Sequence, residues 1–127
     1  MEVQPDANLA ACPSRPLMAR IGEKWSVLAI VALHLGPLRF GELRRRLEGI
    51  SQKMLSQTLR NLERDGLLTR TLYDERPVRV EYALTTVGTS LLPILFELKK
   101  WSEANLDQIE TARKAYDDQH IRGRRLR

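Results

Sequence analysis

Two short helical patterns joined by almost nothing, then an abrupt change of hydrophobic period, constrain this chain more than any other feature. RFGELRRRLEG (39–49) places Phe40, Leu43 and Leu47 at i, i+3 and i+7 and stops at Gly49. GISQKMLSQTLRNLERDGLL (49–68) restarts at once. Ser51 is positioned to cap a helix; Met at 54 rules out a capping box, and Gly66 closes the pattern. After Gly66 the period falls from 3.6 to 2. Leu68, Arg70 and Leu72 alternate with Thr69, Thr71 and Tyr73, DERP interrupts, and Val78, Val80, Tyr82 and Leu84 alternate with Arg79, Glu81 and Ala83. Helix, tight joint, helix, then a two-stranded hairpin with a charged tip is the order of a winged helix-turn-helix.

The second helix has two unlike faces. At 100° per residue, Leu55, Leu59 and Leu62 fall within about 60° of one another. Lys53, Gln57, Arg60 and Arg64 occupy a similar arc on the opposite side, flanked by Gln52 and Ser56, and the first half of the helix has no acid before Glu63. A solvated surface is the competing reading of such a face. In this context, readout of double-stranded DNA is the more economical one, because an α-helix fits the major groove, where Gln pairs with adenine and Lys or Arg with guanine. Ser51, Gln52, Lys53, Ser56 and Gln57 lie in the N-terminal half, the part that meets base edges. Arg60, Arg64, Arg39, Arg44, Arg45 and Arg46 are expected at phosphates. Arg76 and Arg79 on the hairpin are expected at a minor groove or the backbone, an approach that Glu75 opposes.

The rest of the chain supplies a scaffold. Residues 1–14 have no periodicity and read as a flexible arm, 15–116 as one mainly α domain, and 117–127 as a basic disordered tail. RPLMARIG (15–22) suits a short helix with Pro16 in its first turn. EKWSVLAIVALHLG (23–36) is apolar on nearly all sides, as a central buried helix is. Thr86 is placed to cap a long last helix striped by Leu91, Ile94, Leu95, Leu98, Trp101 and Ile109, with Pro93 inside it. The net charge of +5 is unevenly spread: residues 39–79 carry ten Lys/Arg against six Asp/Glu, and 119–127 carry four arginines and no acid. That asymmetry suits a polyanionic partner. The longest apolar run, Val27 to Leu33, is far short of the roughly 20 residues of a spanning helix. No membrane association is therefore expected. The N-terminus lacks the features of a secretory signal and the chain has one cysteine, so the expected compartment is the cytoplasm.

These segments resemble the HxlR-type winged helix-turn-helix transcriptional regulators. Carrying the resemblance are CP at 12–13, IGEKW at 21–25, GPLRFGELRRRLEGIS at 36–51, LSQTLRNLERDGLLTR at 55–70 and VEYALTTVGTSLLPIL at 80–95. The resemblance implies a DNA-binding homodimer, a repressor or activator acting on an inverted-repeat operator, with the dimer contact built from N- and C-terminal helices. On this chain the expected dimer residues are Leu92, Leu95, Phe96, Trp101 and Leu106. Leu92 and Phe96 form a second apolar flank of the last helix, able to face either a partner or one wide core.

Some members of that family sense oxidants or electrophiles through a cysteine near the N-terminus, and Cys12 matches that position. Arg15 or the start of the following helix would stabilise its thiolate; the alternative is a small buried apolar residue without redox importance. His34 and His120 have no cysteine or carboxylate at ligand spacing, so no metal site and no cofactor are expected. No phosphate loop, GxSxG elbow or catalytic histidine cluster is present, so no enzyme is expected. Trp25, Phe40, Tyr82 and Trp101 read as core aromatics. The remaining functional alternative is a protein-interaction module whose basic face binds an acidic partner. A base reader needs Ser, Gln and Lys, whereas protein interfaces centre on apolar anchors.

Overall fold

A computed structural model describes residues 12–125 and divides the chain into two compact units, with the division between Leu92 and Pro93. The expected N-terminal arm therefore lies, up to residue 11, outside the described residues. The first unit begins with α1 (Arg15–Ile21), which has Pro16 in its first turn, and α2 (Lys24–Ala32). The helix expected over 23–36 is shorter than its apolar run. Leu33 donates its N–H to both Ala29 and Ile30, His34 to Val31 and Gly36 to Leu33, so the last turn tightens and Gly36 leaves it at φ 141°. Ala29 and Ile30 are fully buried in α2, while Leu28 is exposed, so its burial is one-sided despite the all-round apolar composition.

Ser26 is also fully buried on α2, and its hydroxyl has no hydrogen-bond partner among the described residues. An unpaired buried hydroxyl costs about 1–3 kcal/mol. Ser26→Ala is expected to raise stability by up to about 1 kcal/mol, read as a higher urea midpoint with an unchanged slope; a lowered midpoint would contradict this.

After the turn, β1 (Leu38–Arg39) leads directly into α3 (Phe40–Arg46), where the Glu42 carboxylate accepts the Arg39 N–H at 3.1 Å. Ile50, in the joint, is buried, and Gly49 takes φ 92°. α4 (Gln52–Arg64) starts on Ser51, whose hydroxyl accepts the Met54 N–H at 3.0 Å, the expected cap. It stops by a left-handed exit: Gly66 at φ 74° lets the Leu67 N–H reach the Leu62 carbonyl at 3.0 Å. β2 (Leu68–Tyr73) and β3 (Arg79–Leu84) follow in antiparallel register from Leu68 opposite Leu84 to Tyr73 opposite Arg79. The expected two-stranded hairpin is in fact part of a three-stranded sheet, order β1-β3-β2, with Leu38 opposite Tyr82 and Arg39 opposite Glu81. Two residues are too few for a period to register.

Leu43, Leu55, Leu59, Leu62 and Leu68 are buried at 2% exposure or less, so the leucine face of α4 is the inner face. The half-buried pair Arg20–Asp65, at 3.0 Å, ties α1 to the residue that ends α4. The last helix, α5 (Thr86–Arg125), is capped one residue earlier than expected. Thr85 Oγ1 accepts the Gly88 N–H at 3.0 Å and donates to the Gly66 carbonyl at 2.6 Å, fastening the start of α5 to the end of α4. A Cβ at Gly88 would stand 2.0 Å from the Leu67 carbonyl oxygen, so only glycine permits this approach.

The second unit is the remainder of α5. It stays helical to Arg125, where disorder was expected from Asp117. Good helix formers lead into this end at Ala112, Arg113, Lys114 and Ala115, and Tyr116 and His120 stack at i, i+4 with centroids 3.8 Å apart. Along α5, Leu92 and Leu95 are buried and Phe96 is half-buried, while Ile94, Leu98, Trp101 and Leu106 are exposed. Of the residues expected at the dimer contact, Leu92 and Leu95 are thus the buried ones and Trp101 and Leu106 the exposed ones. Trp101, read from sequence as a core aromatic, is 58% exposed; Tyr82 is buried, and Trp25 and Phe40 are half-buried.

Candidate nucleic-acid interface

The outward stripe of α4 is built as its sequence requires. With Leu55, Thr58, Leu59 and Leu62 turned inward, Gln52, Lys53, Gln57, Arg60 and Arg64 are exposed and Ser56 is half-buried. Lys53, Arg60 and Arg64 have no ion-pair partner among the described residues. Three cations and two amides thus stand on one exposed face of α4, their side chains without an ion pair among the described residues. Ser51 is exposed, but its hydroxyl is committed to the cap, which leaves it less able to read a base than its position suggests.

α3 adds a second exposed basic group. Arg44, Arg45 and Arg46 stand in its last turn, where positive charge also complements the helix dipole, and Arg39 is exposed at its start. None has an ion-pair partner among the described residues.

The hairpin departs from expectation. Arg79 is half-buried, donates from Nη2 to Glu75 at 2.9 Å, also bridges Glu81, and lies 4.0 Å over the Tyr73 ring. The Glu75 hydrogen bond, helped by the charges of Glu75 and Glu81, holds its pKa above the ordinary arginine value against a smaller desolvation effect. Arg79 is therefore structural, bracing the hairpin rather than reaching for a phosphate. The same contact pairs Glu75, but Arg79 is shared with Glu81, so the cluster keeps a net negative charge. Arg76 remains exposed at the tip and has no ion-pair partner among the described residues.

Cys12 lies just ahead of α1, 7% exposed, with its Sγ 3.2 Å from Ser14 Oγ. Its thiol pKa is lowered, first by the Ser14 hydroxyl, then by the Ser14 backbone; burial opposes this and the Arg15 backbone adds a little. Arg15 thus acts on the thiol through its main chain. Ser14 precedes α1 but makes no side-chain capping bond, because its hydroxyl faces the sulfur. Among the described residues no group of three His, Cys, Asp or Glu is placed to hold a metal ion, and no helix is long and apolar enough to cross a membrane.

Comparison with known proteins agrees with this geometry. The family model described as HxlR-like helix-turn-helix matches residues 20–110. The uncharacterized HTH-type transcriptional regulator YtfH of Escherichia coli K12 is 42% identical over 110 residues, 85% of this chain and 87% of that protein. The solved structure of ytfH from Salmonella typhimurium superposes with a TM-score of 0.78 at 40% identity, covering 87% of this chain and 99% of that one. The redox regulator HypR in its reduced form gives a TM-score of 0.72 at 39% identity, over 78% and 98% of the two chains. The overall fold, five helices with a small antiparallel sheet, is thus that of solved transcriptional regulators. The chain belongs to the HxlR-like helix-turn-helix family of DNA-binding transcriptional regulators.

Proposed function

We propose that the chain represses transcription as a homodimer on an inverted-repeat operator. α4 lies in the major groove of each half-site, and the Arg76 tip of the hairpin approaches the neighbouring minor groove. The observation that carries this reading is the α4 face on which Lys53, Gln57, Arg60 and Arg64 are exposed, with no ion pair among the described residues, while the leucines opposite are buried. Gln52, Lys53, Ser56 and Gln57 meet base edges; Arg39, Arg44, Arg45, Arg60 and Arg64 meet phosphates. A second chain covers the exposed apolar row Ile94, Leu98, Trp101 and Leu106 of α5, with Phe96 at its edge. A two-fold dimer sets the two reading helices about 34 Å apart, one turn of DNA.

Selection of bound fragments from a random duplex pool tests the reading. The expected product is a two-fold symmetric motif with half-sites about one turn apart, bound by a particle of twice the chain mass in light scattering. An asymmetric half-site bound by a single chain would overturn the dimer, and a pool without enrichment would overturn sequence-specific binding.

The same reading makes the regulator responsive to oxidants or electrophiles through Cys12. HypR is described as a redox regulator, and the thiol here has a lowered pKa for a stated physical reason. With one thiol per chain, a disulfide requires the cysteine of a second protomer or a small thiol, each sulfur giving up its proton and the pair giving up two electrons to the oxidant. Diamide is expected to change operator binding by the wild type and not by Cys12→Ser; equal responses would contradict sensing. Ser14→Ala is expected to shift the pH profile of iodoacetamide alkylation upward, toward the ordinary thiol value of about 8.5, and so slow the reaction at neutral pH. An unchanged profile would mean that the Ser14 hydroxyl does not hold the thiolate.

A further inference from the structure

We propose that the cleft between α4 and the β2–β3 sheet seats one phosphate of the DNA backbone, held jointly by Arg70 and Arg60. The inference rests on the DNA-binding reading above and assigns to Arg70 a role that the strand pattern alone does not suggest. Arg70 lies on β2 opposite Tyr82 of β3, which in turn pairs with Leu38 of β1. Residues directly opposite on neighbouring strands share a sheet face, so Arg70 is on the face of the buried Tyr82 ring. That face and α4 enclose a cleft of about 340 Å³, to which the helix contributes Gln52, Ser56 and Arg60.

The charge in this cleft is unbalanced. Arg60 and Arg70 are both exposed, and neither has an ion-pair partner among the described residues, although Glu63 also lines the cleft. Two unpaired guanidinium groups with a side-chain amide and a hydroxyl beside them form an anion seat, since the guanidinium fork matches two phosphate oxygens. Phe40 and Tyr82 line the same cleft, but the other five lining residues are polar or charged, unlike the mostly apolar wall of a small-molecule pocket. The position of the cleft names the anion. With α4 in the major groove and the Arg76 tip toward the adjacent minor groove, the sugar-phosphate strand that divides those grooves has to cross from helix to hairpin. The cleft spans that crossing. Gln52 and Ser56 then serve both the seat and the reading face, which fixes the register of α4 on the duplex.

Affinity of the full chain for the selected operator and for a scrambled duplex, measured by fluorescence anisotropy from about 50 to 200 mM salt, tests the seat. Arg70→Gln is expected to weaken both duplexes by the same factor and to reduce the slope of log affinity against log salt by about one per protomer. Arg70→Lys keeps the slope, because the charge remains. Glu63→Gln, which removes the opposing carboxylate, is expected to tighten both duplexes; it decides the matter should Arg70→Gln melt at a lower temperature than the wild type. A slope unchanged by Arg70→Gln with normal wild-type binding, or weaker binding by Glu63→Gln, would overturn the seat alone. A wild type that binds no duplex would overturn the DNA-binding reading and the seat together.

Discussion

Leu59→Asp is expected to abolish cooperative unfolding of the first unit, so that far-ultraviolet circular dichroism shows no sharp melt where the wild type has one. Leu59 is 1% exposed, at the centre of the leucine face of α4. Truncation alone, as in Leu59→Ala, costs about 2–5 kcal/mol at such a site. A carboxylate adds the cost of removing a charge from water with no partner, several kcal/mol more unless it takes up a proton. A domain of this size has only about 5–15 kcal/mol in hand. Leu59→Ala should therefore lower the midpoint and Leu59→Asp remove the transition. A melt for Leu59→Asp within a few degrees of wild type would mean that this face is not the inner one, and the outward stripe would lose its support.

The second large effect concerns the opposite face. Lys53→Ala and Gln57→Ala are each expected to weaken binding to the selected operator by about 1–3 kcal/mol while changing binding to scrambled duplex much less. Both side chains are exposed, so thermal midpoints should stay near wild type. Arg64→Ala, by contrast, should weaken the two duplexes alike, as loss of a phosphate contact does. Equal losses on both duplexes for Lys53 and Gln57 would move these residues to the backbone class and leave the bases to some other part of the chain.

Much of this is legible in the sequence. The α4 pattern carried its own cap at Ser51, its stop at Gly66 and its inner and outer faces, because period, capping residue and glycine all acted on the same short segment. The two strands of the hairpin follow from alternation, but their register does not. The features that the sequence does not carry depend on contacts between residues far apart in it. β1 is two residues long and exists only because β3 offers it a ladder. The cap of α5 falls on Thr85 rather than Thr86, since Thr85 can bond Gly66 and Gly88 at once. Arg79 looked like a free cation, but Tyr73 and Glu75 claim it across the hairpin. The apolar flanks of α5 illustrate the same limit: helical spacing identifies both, but not that Leu92 and Leu95 are the covered members and Trp101 the exposed one. Arg70 was visible only as one residue of an alternating strand; its place beside Arg60 is a fact of the sheet lying against α4.

The most direct test of the central claim is a photo-crosslink from the floor of the major groove. 5-Iodouracil in place of thymine puts the reactive atom where the thymine methyl stands, on the major-groove edge. With the selected operator substituted in each half-site, irradiation followed by peptide mapping is predicted to attach DNA to residues 51–64. Attachment confined to other segments, or no attachment while the duplex is demonstrably bound, would contradict the claim that α4 reads the bases.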